Sequence, residues 1–345
     1  MGRLISVNRR EMASNRFKFV FYEVVPIFII TFILLILEWF LLTLIANLSP
    51  VLFEVLFHYI RAILIIFVIA LFFFIYNKYK TTNSEGLALH LGYLKLYNIT
   101  KNNYQYQILY SVLLFFLILI PLDLLITITF PGYIPQSAFA SGLTQVENSY
   151  LDLDNFALFL FSLIIIQFSI SFSEETVFRG LIAKRGSEHF NKMSAVMISA
   201  FYFAFVESFL SLNYYYGVLS FVKSFIIGLV LSLTILRRKW LLPLIIAKTI
   251  DSIISNIFIW EFLRGSDITQ PLLFIYSPLL IISLIILILQ RSRVKESLQI
   301  GKNMMVSYFK NDNKLKETSG DKVFRILFDI FLAFLLFLFG ILISV

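Results

Sequence analysis

The residues best suited to chemistry are gathered in Ser173-Glu174-Glu175-Thr176-Val177-Phe178-Arg179-Gly180, three charges at the end of an apolar run from Leu158 to Ile170. An ionised side chain at the centre of a membrane helix costs about 2.5–3.5 kcal/mol on insertion scales, so charges placed there face a partner or a water-filled cavity. On a continuous helix Glu175 and Arg179, at i and i+4, share a face and pair, whereas Glu174 is turned about 100° away. That division leaves Glu174 for general-base chemistry and gives Glu175 with Arg179 a mainly structural task.

Three more charged residues interrupt later apolar runs: Glu207, and Lys248 with Asp251 at i and i+3. Lys248 can offer positive charge to a developing oxyanion. Glu207 can pair with Lys248 or, if protonated, donate a hydrogen bond. Lys248 and Asp251 can equally neutralise one another. Glu23, Glu38, Glu54, Arg61, Asp123 and Lys223 lie near span ends or can snorkel toward headgroups, and read as structural.

The chain has no cysteine, which removes disulfides, thiolate metal sites and a cysteine nucleophile. Of its three histidines, His58 falls in an early span and His90 and His189 in connecting loops. The carboxylates of Glu174, Glu175, Glu207 and Asp251 remain as ligands for zinc or a harder cation, but Arg179 and Lys248 beside them oppose one. No metal and no cofactor are expected.

The elements that must position these residues follow from composition. With 345 residues, 59% of them hydrophobic and 14% charged, and a mean hydropathy of +0.86, the chain lies far outside the balance of soluble domains. Apolar runs near 19–46, 52–76, 105–130, 155–182, 193–212, 215–236, 240–260, 272–290 and 323–345 each approach the twenty residues a bilayer requires. The expected fold is therefore all-α, a polytopic transmembrane bundle of about nine spans.

The first run follows Arg3, Arg9, Arg10, Arg16 and Lys18, is too long for a signal-peptide core and lacks a small-residue cleavage site, so it reads as an uncleaved anchor. With the N-terminus cytoplasmic, the inner segments hold most of the 29 Lys and Arg and the outer loops only Arg264, while the outer loop from Pro131 to Asp154 is acidic. The net charge of +8 is spread between apolar runs and forms no single patch, which argues against nucleic acid as a partner. Residues 84–98, with Leu87, Leu89, Leu91, Leu94 and Leu96, read as a short interfacial helix. Residues 291–322 are basic and either rest on anionic headgroups or, the preferred reading, simply link the last span.

Glu174-Glu175-Thr176-Val177-Phe178-Arg179 resembles the first motif, EExxxR, of the CAAX protease and bacteriocin-processing (CPBP, or Abi) family of intramembrane proteases. The family's second motif, FxxxH, has its counterpart in Phe203 to Glu207, with glutamate in place of histidine. The third, HxxxN or HxxxD, falls among Ala247, Lys248, Asp251 and Ser252 in either of two registers, neither of which restores a histidine.

The resemblance divides the chain into N-terminal helices at 1–154, a CPBP-like core at 155–262 and C-terminal helices at 263–345. It implies an endopeptidase in which Glu174 activates a water, with Glu175, Arg179, Glu207, Lys248 and Asp251 as the other candidate site residues. The alternative it implies is a non-catalytic relative that binds a membrane partner or peptide, in bacteriocin self-immunity or in regulating a membrane enzyme. A multi-pass protein of a bacterial plasma membrane, with the lipid bilayer and a membrane protein or peptide as partners, is the matching expectation.

Overall fold

The computed structural model describes residues 9–45, 48–80, 93–130, 132, 148–209, 214–265, 272–310 and 318–344. Among them every regular element is helical. The helices are α1 (Arg9–Leu44), α2 (Pro50–Lys80), α3 (Tyr104–Thr129), α4 (Phe156–His189), α5 (Lys192–Phe209), α6 (Tyr214–Arg238), α7 (Leu242–Leu263), α8 (Ser277–Leu289), α9 (Arg291–Lys310) and α10 (Ser319–Ser344). Eight are long and apolar enough to cross a membrane, and nine if the bent pair α8 and α9 counts as one.

The helix ends follow local chemistry. Asn155 opens α4 by accepting from the backbone N–H of Ala157 at 2.9 Å and of Leu158 at 3.2 Å, which satisfies two first-turn donors. Pro243 and Pro278 stand in the first turns of α7 and α8, where their missing N–H costs nothing. In α4 the helix changes from α to π winding at Thr176 and keeps it to Arg185.

One buried apolar cluster joins Phe19 on α1, Leu119 on α3, Leu181 on α4, Leu244 on α7 and Leu336 on α10. Within it α4 packs against α2, α5, α6 and α7, so the charged motif meets its neighbours in the middle of the bundle. Outward-facing residues such as Phe67, Phe161 and Leu284 remain exposed, as lipid-facing positions of spanning helices should.

Two expectations need correction, and one element extends further than its apolar run. The basic start is part of the first helix from Arg9 on, and its cations are paired with α10: Arg9 Nε lies 2.6 Å from Asp321 and Arg16 Nε 2.9 Å from Asp329. Residues 84–92 of the expected interfacial helix lie outside the described part. Of the remainder, Tyr93 and Leu96 are buried in the bundle and Lys95–Tyr97 is a 3-10 turn. Much of the supposed linker, Arg291–Lys310, is a 20-residue helix.

Candidate active site

The α-to-π change falls inside the charged motif. A π-helix bonds i to i+5, and shorter stretches of the same winding occur at Val20–Val24, Phe115–Leu119 and Leu272–Tyr276. Here donors from neighbouring elements meet the carbonyls of the π stretch. Tyr93 Oη donates to the Thr176 carbonyl at 2.8 Å, and Ser199 Oγ on α5 donates to the Phe178 carbonyl at 2.7 Å. Tyr97 Oη lies 2.5 Å from Thr176 Oγ1.

Burial pushes both phenols above the usual tyrosine range, so Tyr93 and Tyr97 remain protonated. A β-carbon at Gly180 would come within 2.8 Å of Tyr93 Oη, and glycine there admits the tyrosine. The same segment is tied to α7, since the Leu241 N–H donates to the Leu96 carbonyl at 2.9 Å.

Glu175 and Arg179 are both fully buried, with Arg179 Nη1 3.2 Å from Glu175 Oε1. The guanidinium carbon of Arg179 lies 4.4 Å from the centre of the Phe203 ring and 5.4 Å from that of Phe178. Glu174 turns elsewhere: it accepts from Lys248 on α7, and its side chain keeps 20% exposure. Lys248 Nζ is also 3.7 Å from Glu207 Oε1, whose side chain is 32% exposed, and 4.3 Å from the centre of Phe203. Phe203 thus carries a cation on each of two neighbouring helices, an arrangement its ring quadrupole favours.

Five of the six expected site residues, Glu174, Glu175, Arg179, Glu207 and Lys248, therefore share one cluster. Asp251, also within electrostatic reach of Lys248, has its stronger neighbours in Asp123 on α3 and Lys223 on α6. Lys223 and Asp123 form an ion pair.

This overturns the reading of Asp123 and Lys223 as span-end or snorkelling residues. Asp123 is 4% exposed, and the low-dielectric interior rewards Lys223 for reaching inward to it. Glu23, Glu38, Glu54 and Arg61 are likewise buried. Glu23 is held by Arg185 at 2.8 Å and His189 at 3.1 Å, and Glu54 accepts from Ser149 Oγ at 2.7 Å.

Residues 156–254 match a family model described as Type II CAAX prenyl endopeptidase Rce1-like. No curated protein and no solved structure matches the chain. The match runs from α4 into α7, and the matched stretch contains all six expected site residues.

Phe203, Tyr93, Tyr97, Asp123 and Lys223 are the site's other contributors. Phe203 stood in the second motif and carried the signal of its place. The tyrosines had none, because their partners are a hydroxyl and a carbonyl on a distant helix. Among the described residues no group of three or more His, Asp or Glu is arranged to hold a metal ion.

The chemistry open to the cluster follows from its geometry. Glu174 has an accessible carboxylate and a cation beside it, whereas the Glu175 carboxylate is sealed. An ammonium has three N–H donors. Lys248 directs one to Glu174 and lies near Glu207.

Proposed function

We propose that this protein is a membrane endopeptidase in which Glu174 activates water against a peptide carbonyl. The carrying observation is the division of the motif: Glu174 is partly exposed and held by Lys248, while Glu175 is buried against Arg179. Glu174 takes a proton as the water oxygen bonds to the carbonyl carbon. The Lys248 ammonium neutralises the tetrahedral oxyanion, the task that preorganised donors perform in acyl transfer. Collapse of the intermediate breaks the C–N bond, and the proton held by Glu174 passes to the leaving amine.

Lys248 stands against Glu174, while Ala247 is buried in the apolar core. This supports the register in which Lys248 takes the place of the family's third-motif histidine, with Glu207 in that of the second. Arg179 and Glu175 brace the helix. The concentration of Lys and Arg in alternate connections supports a cytoplasmic N-terminus, and the family match adds to this reading a membrane-borne peptide as substrate, in a plasma membrane of bacterial type.

A second reading rests on the same contact. With Lys248 seated on Glu174, the carboxylate is already neutralised, which suits a non-catalytic relative that binds a membrane partner or peptide. Mapping new peptide ends by mass spectrometry in cells carrying the wild type, a deletion, or Glu174→Gln at matched membrane levels separates the two. Ends lost in both the deletion and Glu174→Gln support hydrolysis. Unchanged ends, with Glu174→Gln restoring whatever the deletion lost, defeat it.

A further inference from the structure

Helix α9 leaves α8 at 84°. Since α8 is apolar and packs on the spanning helix α3, where Ser283 Oγ donates to the Phe116 carbonyl at 2.6 Å, a turn of that size lays α9 close to the plane of the membrane surface. It is fastened there along one side. Arg237 reaches Glu296 at 3.0 Å and Ser297 Oγ at 3.3 Å. Met304, Met305 and the buried Tyr308 pack with Met193, Val196 and Met197 of α5. Tyr308 Oη donates to Asp329 at 2.9 Å, and Arg325 Nη2 donates to the Tyr308 carbonyl at 2.5 Å.

Another face of α9 looks outward. Arg291, Lys295, Leu298, Lys302 and Phe309 are all exposed and recur at intervals of four, three, four and seven. At about 100° per residue these positions fall within about 60° of one another around the helix. The stripe therefore interleaves three cations with two large apolar side chains, Leu298 at 69% and Phe309 at 50% exposure. Glu296, the one acidic residue of α9, lies off this stripe and is taken by Arg237.

We infer that the Arg291–Lys302–Phe309 face of α9 is a docking surface for anionic lipid headgroups, with Leu298 and Phe309 inserted among the acyl chains. Apolar side chains alone would suit any lipid, and cations alone would suit water. Their alternation on one face beside a spanning helix fits the boundary between the two. Anionic lipid is the occupant that complements the charge, because each Lys or Arg near such a surface contributes about 1 kcal/mol, roughly a fivefold preference. This surface is independent of any hydrolytic activity, since none of its residues belongs to the charged cluster.

The test uses the full chain, whose lack of cysteine allows a single introduced thiol. Leu298→Cys carries a fluorophore, and the protein is reconstituted in vesicles of phosphatidylcholine with phosphatidylglycerol, one or the other brominated on its acyl chains. Brominated phosphatidylglycerol should quench the label several-fold more strongly than brominated phosphatidylcholine. The combined variant Arg291→Gln, Lys295→Gln and Lys302→Gln should abolish that preference, and 0.5 M salt should weaken it. Equal quenching by the two lipids in the wild-type background overturns the proposal. So does a label that neither lipid quenches and aqueous iodide does, which would leave the face to solvent or to an acidic protein partner.

Discussion

Lys248 on α7 and Glu174 on α4, 74 positions apart in the chain, meet as donor and acceptor while the ammonium lies 4.3 Å from the centre of the Phe203 ring. One side chain thereby ties together three helices, α4, α5 and α7. The contact is both the best candidate for chemistry and a structural bond, and these roles respond differently to substitution.

Lys248→Met should destabilise the protein by up to about 3 kcal/mol, because it strands the Glu174 carboxylate in a poorly solvated site. The figure sits at the lower end for buried pairs, since the two side chains keep 11% and 20% exposure. Adding Glu174→Gln to Lys248→Met should recover part of the loss. Thermal unfolding of the detergent-solubilised variants measures both, and a Lys248→Met protein as stable as the wild type would mean the pair contributes nothing.

Arg179→Lys should also destabilise, although charge is kept. The guanidinium carbon lies 4.4 Å over the Phe203 ring and Nη1 3.2 Å from Glu175, and a compact lysine ammonium on a different stem cannot reproduce both contacts at once. A loss of about 1–2 kcal/mol is expected. Phe203→Leu should lose a comparable amount and should add little to Arg179→Lys, since both remove the same contact. Full additivity in a double-mutant cycle would contradict a direct Arg179–Phe203 contact.

The tyrosines on the π stretch set an alkaline limit. Burial raises the Tyr93 and Tyr97 phenols above their ordinary value of 10.0, so the unfolded chain loses these protons first as pH rises. Their stabilisation is complete below pH 10 and is lost progressively above it. Tyr93→Phe and Tyr97→Phe should each cost about 1 kcal/mol at neutral pH through the missing hydrogen bond. Both should flatten the fall in unfolding temperature between pH 9 and 11, and an unchanged alkaline limb in the double variant would remove the tyrosines as its cause.

Most of the fold was legible because bilayer thickness imposes a simple rule, and the expected apolar runs coincide closely with α1 to α8 and α10. Glu174, Glu175 and Arg179 were legible because they are close in sequence. The π winding from Thr176 was not, since it is sustained by Tyr93 and Ser199, which lie far away in the chain. Lys223 looked free to snorkel because no local acid marks it, and Asp123, its partner, is 100 positions distant. The residues of α9 read as linker because charge hides a helix that tertiary contacts fix.

Gly340→Ala should disturb the packing of α10 on α5. A β-carbon at Gly340 would collide with the hydroxyl of Tyr202, which is almost wholly buried and cannot swing out. Overpacking of this kind costs about 1–3 kcal/mol. Tyr202→Phe removes the colliding oxygen, so the double variant should be more stable than Gly340→Ala alone. If it is not, the ring as a whole, and not its hydroxyl, sets the helix spacing.

The cluster of Asp123, Lys223 and Asp251 offers the sharpest contrast between its two readings. Were Lys223 a snorkelling residue, Lys223→Met would be nearly silent, because methionine covers the same apolar surface without a charge to place. With Lys223 paired to Asp123, the substitution leaves the Asp123 carboxylate beside Asp251 in a poorly solvated site without its cation. Lys223→Met should then lower the unfolding temperature markedly, and Asp123→Asn should restore much of it by removing the stranded charge. Asp251→Asn alone should be mild, since the Asp123–Lys223 pair survives it. A Lys223→Met protein that Asp123→Asn fails to rescue would show that the stranded charge is not the cause of the loss, and that the lysine acts by filling space between α3, α6 and α7.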